Sequence, residues 1–209
     1  MFIPDMQPRL NFVISKGNEI ISDTDVEAHS FVRNWYVKIA QQTCFVNARS
    51  AMNFNIINTS NTSVNSDTTC RGYATLTTSH YIPGAGVDDF GLLVGDSDTA
   101  WAFTDYALSS LIASGSGAGE LGYAAQSATT KSDTDDTRTI TLTRAFNNNS
   151  GGEVTVREIG WATCGFNGSN WNSYYLQFRE VLGSPIVLSD SEQLTVNFMI
   201  DLTYPEAIS

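Results

Sequence analysis

Thr137-Arg138-Thr139-Ile140-Thr141-Leu142-Thr143-Arg144-Ala145-Phe146 decides the fold class: Ile140 and Leu142 share one face of an extended chain, and Thr139, Thr141 and Thr143 share the other. Asn147-Asn148-Asn149-Ser150-Gly151-Gly152 follows, supplying the asparagine and glycine that a chain reversal needs. Val154 and Val156 then resume the alternation, which predicts a hairpin across that turn. At Arg157-Glu158-Ile159-Gly160-Trp161 the parity slips, so a β-bulge or bend is expected near Gly160.

Working outward, further short β-rich runs lie at 45–57, 70–78, 90–94, 121–129, 174–181 and 194–203, separated by Ser/Thr/Asn/Gly clusters. This spacing suits a sandwich or barrel rather than alternating β-α units. Leu10 to Ile21 reads as a hairpin around Lys16-Gly17-Asn18. Thr24-Asp25-Val26-Glu27 has the S/T-x-x-E form of a helix capping box, and Ala28, Phe31, Val32, Trp35, Ile39 and Ala40 recur at helical steps through about Gln42. The expectation is a mainly β chain, a β-sandwich of jelly-roll or immunoglobulin-like type with one N-terminal amphipathic helix. Residues 1–209 form a single domain in this reading, with 1–43 a hairpin-and-helix attachment element. The polar stretches 58–69 and 114–119 read as exposed loops, the latter a flexible glycine turn.

The chain has 209 residues, with 11 Lys plus Arg against 22 Asp plus Glu, for a formal net charge of −11. Charged residues make up only 16%, so its 60 Ser, Thr and Asn residues carry most of the polar surface, while 42% apolar content supplies a core. The acidic balance and the lack of any basic run argue against nucleic acid as a partner. No stretch approaches the length of apolar chain that spans a membrane, and Met1 to Gln7 lacks the order of a secretory leader. Cys44, Cys70 and Cys164 form no CxxC and read as buried thiols, not as a disulfide framework or zinc site.

A search for chemistry finds little. There is no G-x-S-x-G or H-E-x-x-H, and His29 and His80 are the only histidines. Asp133, Asp135 and Asp136 are dense enough to consider for Ca²⁺, but they lack the EF-hand order and read first as solvated loop acids. No catalytic set, metal site or cofactor is assigned. Arg144, Arg157, Glu158, Arg179 and Glu180 fall within apolar or threonine-rich runs; if the last strands pair as neighbours, cross-strand Arg and Glu form ion pairs that fix register, each worth well under about 1 kcal/mol if exposed. Two groups remain as contact candidates. Phe31, Val32, Trp35 and Ile39 form a stripe that packs on the sheets or on a partner protein. Phe166, Trp171, Tyr174 and Tyr175 lie in an asparagine-rich stretch suited to sugar stacking, to protein contact or to folding back onto the sheet edge.

Several segments resemble virion structural proteins of tailed bacteriophages: residues 138–151, then Val154-Thr155-Val156-Arg157-Glu158-Ile159-Gly160-Trp161, Tyr175-Leu176-Gln177-Phe178-Arg179-Glu180-Val181-Leu182 and 194–200. Ser30-Phe31-Val32-Arg33-Asn34-Trp35, Val94-Gly95-Asp96 and Thr104-Asp105-Tyr106-Ala107-Leu108 look like further stretches of the same group. The resemblance implies a non-enzymatic component that assembles as a homo-oligomer with other virion proteins on the capsid exterior or tail, in particles built in the host cytoplasm. The alternative is a carbohydrate- or receptor-binding module of a tail or fibre, with a host glycan as ligand.

Overall fold

A computed structural model of the chain describes residues 5–28, 30–43, 55–65, 82–134, 136–165 and 173–203. Among the described residues the fold is mainly β: two antiparallel sheets, a small two-stranded ribbon and one short helix. Sheet A runs in the order β2 (Glu19–Glu27), β1 (Asp5–Lys16), β11 (Gln193–Thr203), β8 (Thr137–Asn147), β6 (Gly122–Tyr123), with β7 (Thr130–Asp133) also on β8. Sheet B has the order β10 (Ser173–Leu188), β9 (Val154–Gly165), β5 (Gly91–Gly95). The ribbon pairs β3 (Asn55–Ile57) with β4 (Ser63–Asn65), and α1 spans Arg33–Thr43.

Alternation builds the shared core. Leu10 and Phe12 of β1, Leu142 and Phe146 of β8, and Leu194, Val196, Phe198 and Ile200 of β11 are all buried, and they join Leu92, Val94, Ile159 and Phe178 of sheet B in one cluster. Phe198 is the central contact between the layers, its ring 4.6 Å from Phe178 and 5.6 Å from Trp161. The opposite face of sheet A carries hydrogen-bonded polar rungs. Thr143 Oγ1 donates to Asn197 Oδ1 at 2.7 Å, Asn197 Nδ2 donates to Asn11 Oδ1 at 2.8 Å, and Asn11 Nδ2 reaches Asp23 and Asp25 at 2.7 and 3.0 Å. The threonines of the opening stretch therefore face away from the core, as expected.

A neighbouring cluster on that face makes one carboxylate pH-sensitive. Arg9 Nε donates to Asp201 Oδ2 at 2.5 Å and Thr139 Oγ1 to Asp201 Oδ1 at 2.6 Å. Partial burial opposes ionisation of Asp201, but the two hydrogen bonds and the Arg9 charge together outweigh it and hold the carboxyl below the usual range. The unfolded aspartate titrates near about pH 4, so this contribution to stability is complete above that pH and is lost as pH falls through the lower native value. Asp201→Asn should lower the unfolding free energy at neutral pH and flatten its dependence on pH below about 4, so that variant and wild type converge in acid. An acid limb identical to wild type in urea titrations at several pH values would contradict this.

The expected hairpin at Leu10 to Ile21 is present: β1 and β2 pair antiparallel around Gly17, which takes the left-handed φ of 60° that the turn requires. The helix start is corrected. Thr24 to Glu27 do not cap a helix; they belong to β2, opposite residues 9–12 of β1, because a ladder shared with β1 satisfies more backbone groups than one cap does. Helix α1 begins only at Arg33, whose N–H donates to the Phe103 carbonyl at 2.9 Å. The hairpin between β8 and β9 is also corrected. β8 lies in sheet A and β9 in sheet B, so residues 148–153 carry the chain across the core. Buried Asn148 fixes that crossing: its Nδ2 donates to the carbonyls of Gly152 and Leu188, both at 2.8 Å, and its Oδ1 accepts from Ser150.

The run expected as a strand at 121–129 is reduced to β6, with β7 following at Thr130. The register irregularities of β9 and β10 fall between Val181 and Ile186 and between Leu176 and Phe178, opposite Val156 to Glu158 and Trp161 to Ala162. They flank Gly160, and Gly160 itself serves close packing, since a Cβ there would lie 2.7 Å from Leu108 Cδ2. The glycines at 114–119 likewise make a shaped turn: Gly117 N–H donates to Glu120 Oε2 at 2.8 Å, and a Cβ on Gly115 would collide with that carboxylate.

Candidate functional site

β9 and β10 pair as neighbours, and Arg179 and Glu158 form a cross-strand ion pair between them, but a buried one rather than the exposed case valued from the sequence. Arg179 and Glu158 are fully buried, on the face of sheet B opposite Phe178 and Ile159. Arg179 Nε donates to Glu158 Oε2 at 2.6 Å and Nη1 to Asp105 Oδ2 at 2.7 Å. Its Nη2 reaches the Thr99 carbonyl at 2.8 Å and Ser109 Oγ at 2.9 Å. Glu158 accepts in turn from the backbone N–H groups of Ser109 and Ser110 at 3.2 and 2.8 Å. One guanidinium and one carboxylate thus hold the 96–112 segment onto the sheet, satisfying donors and acceptors that would otherwise be buried unpaired.

Glycine makes room for this network. A Cβ on Gly95 would sit 2.5 Å from both Glu158 Oε1 and the Ser110 carbonyl. Gly95→Ala must displace a backbone group or a buried carboxylate, so it should cost about 1–3 kcal/mol in denaturant unfolding, as overpacking does. A midpoint equal to wild type would contradict the close approach.

Arg144 of β8 does comparable work along the β5 edge of sheet B with only carbonyls among its hydrogen-bond partners. Its guanidinium donates to the carbonyls of Ala124, Phe90, Leu92, Gly84 and Val87 at 2.5 to 3.3 Å, and it lies 4.8 Å from the Tyr123 ring centroid. Burial pushes the Arg144 pKa down to about 10, opposed by the nearby Tyr123 phenol and Asp88 carboxylate. Tyr123 hydroxyl donates to the Ile112 carbonyl at 2.7 Å and accepts from Val94 N–H at 3.3 Å, and burial raises its pKa. Gln126 Oε1 accepts Leu92 N–H at 2.8 Å. Side chains thereby seal the outer edge of β5, where a free ladder would otherwise face a neighbour.

The 96–112 segment presents exposed aromatic rings. Trp101 and Phe103 are 37% and 47% exposed, and Tyr36, 54% exposed on α1, lies with its ring 5.8 Å from Phe103. Nothing in the spacing of the sequence marks these three. Tyr36 and Phe103 meet because Arg33 N–H donates to the Phe103 carbonyl while Arg179 holds Thr99 and Asp105.

The residues singled out from the sequence are dispersed. Phe31 and Val32 are buried ahead of α1, where Val32 N–H bonds the Gln177 carbonyl at 3.0 Å. Trp35 is half-buried, stacked on Phe31 at 4.7 Å and tilted against Trp161 at 5.6 Å; Ile39 is half-buried on the same helix. Tyr174 and Tyr175 belong to β10: the Tyr174 ring stacks on Phe90 at 5.6 Å, and Tyr175 is buried with Lys38 5.5 Å from its ring centroid. Phe166, Trp171, His29, His80, Cys44, Cys70 and Asp135 lie outside the described residues. Burial pushes the Cys164 thiol pKa up. Asp133 is held by Arg138 at 2.5 Å and Lys131 at 3.6 Å, and the Arg138 hydrogen bond is the main cause of its lowered pKa. Among the described residues, no group of three His, Cys, Asp or Glu side chains is placed to hold a metal ion, and no helix is long and apolar enough to cross a membrane.

Comparison with family models, with curated proteins and with solved structures returns no match.

Proposed function

We propose that this chain is a non-enzymatic structural component of a tailed-bacteriophage virion, assembling as a homo-oligomer with other virion proteins on the capsid exterior or tail. The observation that carries the reading is where the virion-like segments fall. They coincide with β8, β9, β10 and β11, and their polar members Arg144, Asn148, Glu158 and Arg179 are all buried in contacts that hold sheets, edges and loops together. Such residues serve a rigid building block. A net charge of −11 suits a position away from packaged DNA. Within this reading the two sheets form a β-sandwich of the jelly-roll kind, with first strand β1 beside last strand β11.

The experiment is deletion of the gene from the viral genome that carries it, followed by electron microscopy of the particles. Loss of a capsid or tail feature, restored by the gene in trans, is expected; particles unchanged in morphology and infectivity would overturn the proposal.

A second reading, a carbohydrate- or receptor-binding module, is favoured by the exposed rings of Tyr36, Trp101 and Phe103 on a braced segment, since exposed rings stack on sugar faces. A glycan array that gives signal for wild type and none for Trp101→Ala would support it, and a silent array would remove it.

A further inference from the structure

The ends of the two sheets are closed to different degrees. At the β10 end, residues 30–32 and Thr59 lie against the strand: Val32 N–H bonds the Gln177 carbonyl, Arg179 N–H the Ser30 carbonyl and Thr59 N–H the Tyr174 carbonyl. The β5 end is sealed by Arg144, Tyr123 and Gln126 together with the Ile112 N–H. Beyond β8 stand the two-residue β6 and the four-residue β7. The remaining end is β2, nine residues long, paired with β1 on one side and with no described residue on the other.

The side chains of β2 say what fits there. Asp23, Asp25 and Glu27 stand at alternate positions on the outer face, with no Lys or Arg in the strand, and Asn11 Nδ2 fixes the first two carboxylates at 2.7 and 3.0 Å. Along the same edge Ile20 and Ile21 are 64% and 52% exposed. A second copy of the chain is a poor occupant. In a two-fold antiparallel pairing the outer faces coincide: registers centred on Asp23, Thr24 or Asp25 set Asp23, Asp25 or Glu27 opposite one of the same three residues of the other copy, and the register centred on Ser22 sets Asp25 opposite Glu19. Like charges in that position destabilise a ladder.

We propose that the open edge of β2 receives an extended segment of a different protein, added as an antiparallel strand, with Lys or Arg at alternate positions facing Asp23, Asp25 and Glu27 and apolar residues between them. Backbone groups supply the ladder and the three carboxylates supply the selection, as in other strand additions. Ser22, Thr24 and Val26 lie opposite Ile14, Phe12 and Leu10, so the intervening apolar residues of the incoming strand extend the core-facing side of sheet A. The proposal is independent of the particle assignment: failure of either leaves the other standing.

The test uses the full chain and a labelled peptide of alternating lysine and valine as long as β2. Fluorescence anisotropy should show saturable binding that weakens with added salt. Hydrogen exchange should show new protection in β2. The Asp23→Asn/Asp25→Asn variant keeps an oxygen acceptor for Asn11 and removes two charges, so it should bind the peptide at least about tenfold more weakly while unfolding at the wild-type midpoint. A glutamate-valine peptide should not bind, and a lysine peptide interrupted by proline should bind much more weakly. The proposal is overturned by no saturable binding, by equal binding of the proline-interrupted peptide, by an unaffected Asn variant, or by self-association of the chain through β2.

Discussion

Arg179→Met should lower the unfolding free energy by about 3–5 kcal/mol, the usual cost of removing one partner from a buried ion pair. Glu158, itself fully buried, then keeps only the Ser109 and Ser110 N–H groups for its charge, while Asp105, the Thr99 carbonyl and Ser109 Oγ lose their common donor. The damage should be local in kind as well as large. Residues 96–112 lose their anchor, so hydrogen exchange and proteolysis should rise there before they rise in β8 or β11. Glu158→Gln in the Arg179→Met background removes the stranded charge and keeps one oxygen to accept the Ser110 N–H, so with the buried charge as the larger cost the double variant should be more stable than Arg179→Met alone. A double variant no better than the single one would mean that the charge is not what makes the single substitution costly.

Phe198→Ala should cost a similar amount, about 3–5 kcal/mol, for a different reason. The ring is fully buried between the layers, against Phe178 of β10 and Trp161 of β9, and truncation leaves a cavity that neither stiff sheet can close. Denaturant unfolding should show a lower midpoint with an unchanged slope. Exchange protection should fall throughout both sheets, unlike the loop-centred loss expected for Arg179→Met. A loss under about 1 kcal/mol would contradict the placement of this ring at the centre of the core.

Much of the fold follows from period-two patterning. The Thr139 to Thr143 alternation, the run from Leu194 and the turn at Gly17 each settle into the strand or reversal they suggest, because each is a local signal that its neighbours reinforce. The failures have one physical origin: a local signal overruled by a distant partner. Thr24 to Glu27 would cap a helix in isolation, yet β1 offers a full ladder from fifteen or so residues upstream. Asn147 to Gly152 looks like a tight hairpin turn, yet β11 claims β8 and β10 claims β9, and the chain must cross between sheets.

The charged residues were the least legible. Glu158 shares the parity of Val154 and Val156, and Arg179 follows buried Phe178, so a charge set within a core-like alternation was the available sign that both are buried. Their partners, Asp105, Ser109 and Ser110, come from a segment far away in sequence with no periodicity of its own. The contact of exposed Tyr36 with Phe103 depends on the same anchoring, which no spacing rule encodes.

The central proposal, that the chain is a building block of a virion, is tested most directly by quantitative mass spectrometry of density-purified phage particles released by cells that express the gene. The account predicts this chain in the particle band at a fixed ratio to the other virion proteins, retained after high-salt washing. Its absence from the particles, with the chain recovered only in the soluble lysate, would contradict it.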